Sequence, residues 1–87
     1  MNEQERHSAQ MISSPILKRS VMLLGHKTSI SLEEPFWQAL REIATERGIT
    51  TAALLNSIAS KRVEGNLSSA LRVFVLEHFR AACKKEM

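Results

Sequence analysis

The sequence predicts a mainly α-helical chain with one short β-ribbon near its start. Three observations lead there. Residues 27 to 32 (KTSISL) alternate polar and apolar positions, the period of a strand. Segments 33–47, 51–63 and 68–84 space their apolar residues at helical intervals instead. The breaks between them, Gly48-Ile49-Thr50 and Glu64-Gly65-Asn66, hold residue types that end one helix and cap the next.

The elements follow in chain order. Residues 1–15 (MNEQERHSAQMISSP) scatter a few apolar side chains among polar ones and predict a disordered arm, leaving 16–87 as the single folded domain. Leu17 to Leu24 (LKRSVMLL) has strand character, and Gly25-His26 reads as a hairpin turn with Gly at the first central position. That turn would set Val21 opposite Ile30 and Leu23 opposite Thr28. Within the alternating segment, Thr28, Ile30 and Leu32 share one face, and Lys27, Ser29 and Ser31 share the other. One strand cannot satisfy its own backbone. Its partner is either the upstream segment, as a hairpin, or the same strand of a second copy.

The first helix is expected from Glu33 to Arg47, with Pro35 in its first turn, where a missing N–H does no harm. Phe36, Leu40, Ile43, Ala44 and Arg47 mark one face with Trp37 beside it, and Gly48 ends the helix in a left-handed cap. Thr50 caps a second helix, 51–63, with Leu54, Leu55, Ile58 and Ala59 inward. A third helix, about 68–84 and capped by Asn66 or Ser68, offers Leu71, Phe74, Val75, His78 and Phe79 to the core. Its run Val73-Phe74-Val75-Leu76 is apolar on more than one side, which predicts burial between neighbours.

Composition narrows the function classes. The net charge is +3, yet no acidic residue lies between Arg6 and Leu32, where Lys18, Arg19 and Lys27 fall. A basic stretch containing the ribbon suits a polyanionic partner. The single cysteine, Cys83, forms no internal disulfide and fits a reducing compartment. The sequence has neither a signal-peptide pattern nor a run of about 20 apolar residues, so a soluble, cytoplasmic protein without membrane contact is expected. His7, His26, His78 and Cys83 lack metal-ligand spacing. There is no aspartate and no paired-acid motif, so neither enzyme activity nor a metal or cofactor is expected.

An alternating strand ending in Leu32, a helix ending in Gly48 and a hydroxyl residue opening the next helix resemble the ribbon-helix-helix family of bacterial repressors (Arc/MetJ-like). Lys18-Arg19-Ser20-Val21, Gly25 to Ser29, Leu32-Glu33, Phe36-Trp37 and Asn66 to Arg72 are similar to its small subgroup with an additional third helix. The resemblance implies an intertwined homodimer with a C-terminal third helix and a core of Ile30, Leu32, Phe36, Trp37, Leu40, Leu54 and Ile58. It also implies double-stranded DNA as partner, with Lys27, Ser29 and Ser31 facing bases in the major groove. Phosphates would be held by Lys18, Arg19 and the amides near Thr50 and Thr51. Ser29 and Ser31 depart from the longer side chains usual at those places, and short hydroxyls discriminate bases poorly.

Two function classes therefore stand. One is a dimeric DNA-binding transcriptional regulator that inserts an antiparallel ribbon into the groove. The other is a ribbon-helix-helix-derived protein-interaction module that does not bind DNA, with the third helix as a partner surface. The hairpin separates them. Should it add a strand on each outer edge of a two-chain ribbon, the sheet would have four strands and be too wide for the groove.

Overall fold

The computed structural model describes residues 15–61 and 66–86. Residues 1–14 of the expected 1–15 arm, and residues 62–65 with Glu64 and Gly65 of the expected break, lie outside the described residues. Strand β1 (Ile16–Leu23) turns directly into β2 (His26–Glu33), and three helices follow: α1 (Glu34–Glu46), α2 (Thr51–Lys61) and α3 (Leu67–Glu86).

The upstream segment supplies the missing strand. β1 and β2 form a two-stranded antiparallel sheet within one chain. Leu24 (φ 51°) and Gly25 (φ 86°) are the two central residues of the turn. Positive φ at both positions gives the type I′ turn, whose twist matches that of the flanking strands. The turn thus lies one residue earlier than Gly25-His26. The pairing accordingly sets Val21 opposite Thr28, Leu23 opposite His26 and Arg19 opposite Ile30. Each expected partner is displaced by two residues, which keeps every side chain on its expected face.

Leu17, Val21, Leu23, Ile30 and Leu32 lie on the inward face and pack on the helices. The core adds Trp37, Leu40, Ile43, Ala44, Leu54, Leu55, Ala59, Leu71 and Val75. Trp37 is buried, and its indole N–H donates to the Leu17 carbonyl at 3.1 Å, which joins α1 to β1.

The helix ends are built by local chemistry. Glu33 precedes α1 in extended conformation and Pro35 falls in its first turn, so the helix begins at Glu34, one residue later than the expected Glu33. At the other end Gly48 takes φ 70°. Its N–H donates to the Thr45 carbonyl, and the Ile49 N–H donates to that of Ala44 at 3.0 Å, which makes a Schellman cap. The Thr50 hydroxyl accepts from the Ala53 N–H at 3.0 Å, and the Asn66 side chain accepts from the Ser68 N–H at 2.7 Å.

Within one chain Ile30, Leu32, Trp37, Leu40 and Leu54 are buried, with Phe36 and Ile58 half-buried against them. β1 and α3 contribute to that cover. One expectation is corrected. α3, in turn, packs on one side only. Leu71 and Val75 are buried, while Val73, Leu76 and Phe79 are 53 %, 56 % and 45 % exposed. An apolar run on a helix becomes core only where a neighbour meets it, and α1, α2 and β2 meet just one face.

Candidate nucleic-acid interface

The outward face of the hairpin follows from the register. Lys18, Ser20 and Met22 of β1 stand opposite Ser31, Ser29 and Lys27 of β2, and all six are exposed. The three expected base-facing residues, Lys27, Ser29 and Ser31, are thus brought together, with Lys18 beside Ser31. None of the ion pairs among the described residues uses Lys18 or Lys27.

Arg19 lies apart from them. Its neighbours Lys18 and Ser20 point outward, so it points inward. There its guanidinium meets Glu34 at 3.2 Å and lies 5.5 Å from the centre of the Trp37 ring. Glu34 also takes Arg41 at 3.4 Å. Burial pushes the Glu34 carboxyl up, but hydrogen bonds from Gln38 and Arg41 and the charges of Arg19 and Arg41 bring it below its ordinary value. Arg19 is nevertheless near the start of α2. It lines one cleft with Ser20, Arg41, Thr51 and Ala52. Thr51 and Ala52, in the first turn of α2, thus share one cleft with Arg19 and Arg41.

Side chains from α2 and α3 hold both edges of the sheet. A two-residue hairpin is closed by a hydrogen-bonded pair, here Leu23 with His26. Alternation then turns the backbone groups of residues 18, 20 and 22, and of 27, 29 and 31, away from the partner strand. On the β1 edge, Asn56 donates to the Met22 carbonyl at 3.0 Å and accepts from the Leu24 N–H at 2.7 Å. On the β2 edge, the Ser68 hydroxyl donates to the Ser31 carbonyl at 2.8 Å. Arg72 adds hydrogen bonds of 3.0 and 3.3 Å to the two Glu33 oxygens and lies 5.9 Å from the centre of the Phe36 ring. Nearer the turn, the β2 edge borders a groove lined by His26, Thr28, Ser29, Ala59 and Asn66.

Met22 and Asn56 join this surface although the sequence reading does not name them, and Ser68 and Arg72, read there as a cap candidate and as part of the subgroup match, join it as edge contacts. The signal for Asn56 is a polar residue of poor helix propensity inside an apolar helix. Met22 enters this face only through the register that sets it opposite Lys27.

A family model described as a ribbon-helix-helix domain matches residues 16–79, which takes in the hairpin, α1, α2 and most of α3. The chain belongs to the ribbon-helix-helix family. Ribbon-helix-helix domains are generally those of DNA-binding transcription regulators. No curated protein matches this ribbon-helix-helix chain. Its fold is similar to that of a solved structure, an uncharacterized protein from Bordetella pertussis Tohama I. The TM-score is 0.81 at 26 % identity, over 100 % of this chain and 75 % of that one. No helix among the described residues is long and apolar enough to cross a membrane.

Proposed function

We propose that this ribbon-helix-helix chain is a DNA-binding transcriptional regulator, acting as a homodimer, that lays the outward face of its own hairpin into the major groove. One observation carries the reading: a fully exposed two-stranded face that bears Lys18 and Lys27 among serines, in a segment without acids from residue 16 to 32. The major groove admits a two-stranded ribbon, and here the ribbon lies within one chain. Asn56 and Ser68 occupy both edges and favour a sheet that stays two strands wide. Lys27 is the long polar side chain of the set aimed at bases. Lys18, with Arg19 and the α2 amides in their cleft, would take phosphates. The dimer rests on family membership and on the apolar stripe of Val73, Leu76 and Phe79, exposed among the described residues.

The groove beside Ser29 favours a second reading. A strand from another chain added there would widen the sheet. Two hairpins joined along β2 would span about 14 Å between outer strands, at about 4.8 Å per step, against a groove about 12 Å wide. That assembly would be a protein-interaction module. Fluorescence anisotropy with labelled 30-base-pair duplexes of mixed sequence, over a salt series, separates the two. The DNA reading expects saturable binding that weakens steeply with salt. Absence of saturable binding at low salt would reject it in favour of the interaction module.

A further inference from the structure

The turn end of the hairpin exposes two apolar side chains that the fold does not use. Met22 is 58 % exposed and Leu24 is 59 % exposed. Leu24 also holds φ 51° at the first central position of the turn. Asn, Asp and Gly occupy that position at lower cost, because they tolerate left-handed backbone. Leucine offers the turn no compensating burial. Its presence opposes both folding and solubility, and exposed strain of this kind points to use by a ligand.

The end is also tied to α2. The two hydrogen bonds of Asn56 reach the backbone on either side of Leu23, which is itself in the core. Met22 stands directly opposite Lys27 on the outward face, and the exposed His26 follows the turn. An apolar side chain thus stands across from a cation, on a held backbone and on a face whose charge suits DNA.

We propose that Met22, flanked by Leu24, reads thymine in the major groove by packing on its C5-methyl group. This rests on the DNA-binding reading above. The thymine methyl is the apolar feature of the base edges in that groove, and apolar side chains recognise it by contact. Ser29 and Ser31 reach too little to supply the discrimination alone. The Met22–Lys27 pair joins a methyl-reading group to a long donor suited to guanine O6 and N7.

The test uses the full-length protein. A randomised 30-base-pair duplex pool is selected on the wild type, and the enriched duplex is rebuilt with deoxyuridine for thymidine, which removes only methyl groups. The wild type should lose about fourfold affinity for each methyl it packs on, the worth of one buried methyl-sized group. Met22→Ser should bind the thymidine duplex that much more weakly and respond little to the deoxyuridine exchange. Leu24→Asn should raise the thermal midpoint while reducing selectivity. Equal response of wild type and Met22→Ser to the exchange, or a wild type indifferent to it, would overturn the proposal and leave DNA binding standing. Selection of nothing from the pool would overturn both. A Met22→Ser variant altered in sedimentation but not in DNA affinity would make this end a self-association surface instead. The deoxyuridine arm needs no substitution, so misfolding cannot mimic its result.

Discussion

Glu33 and Arg72 are joined by two hydrogen bonds, which tie the last residue of β2 to the third helix. The Arg72 side chain, through those bonds, holds the Glu33 carboxyl below its ordinary value, with a smaller contribution from its charge. Glu34 is lowered as well. A carboxylate whose folded pKa is depressed stabilises the fold above its unfolded value, and that contribution disappears as pH falls through the folded one. Thermal midpoints should therefore be level near neutrality and decline below the usual glutamate range, about pH 4 to 5. Glu33→Gln should lower the neutral midpoint and flatten the acid decline. An equally steep decline in that variant would remove the pair as its cause.

Asn56 ties α2 to the end of the hairpin through both its donor and its acceptor. Asn56→Ala should cost about 1–3 kcal/mol, the range for two modest hydrogen bonds whose backbone partners can turn to water. Urea unfolding should show a lower midpoint with unchanged slope. No shift would mean that these bonds contribute nothing to stability in solution.

Ile30 and Leu32 are 2 % and 0 % exposed, while Ser29 beside them is exposed. Ile30→Asp or Leu32→Asp should unfold the chain, because a buried unpaired carboxylate costs several kcal/mol. Ser29→Asp should keep its circular dichroism spectrum and lose DNA affinity through like-charge repulsion. Equal loss of structure in all three would place the strand faces the other way round.

Sedimentation at low micromolar concentration should find a dimer, weakened by Leu76→Glu. A folded monomer in the wild type would remove the homodimer from the account. The core would survive that result, since one chain already covers it.

Much of this architecture is legible in the sequence because its signals are local. The period of Thr28, Ile30 and Leu32, the Gly48 cap and the Thr50 cap each depend on neighbours within a few residues. The turn falls one residue away from the expected place because Leu24 adopts a conformation that leucine rarely takes. The place of Arg19 cannot be read from charge, since its partners Glu34 and Trp37 are brought to it only by the hairpin's return. Phe79 fails as a core residue for a related reason: periodicity tells which residues share a face, and only tertiary contact tells which face is covered. The outward set of Lys27, Ser29 and Ser31 is fully legible, whereas Met22 across from them needs the register.

In the proposed complex, DNA meets the outward face of the hairpin. The most direct measurement is the slope of log affinity against log salt for the wild type, Lys18→Ala, Lys27→Ala and Arg19→Ala. Removing one phosphate interaction should reduce that slope by roughly 0.9. Lys18→Ala should show this reduction, and Lys27→Ala should lose affinity most on a selected duplex. Arg19→Ala should change the slope less, because Glu34, shared with Arg41, already offsets part of its charge. Unchanged affinity and slope in both lysine variants would contradict the account.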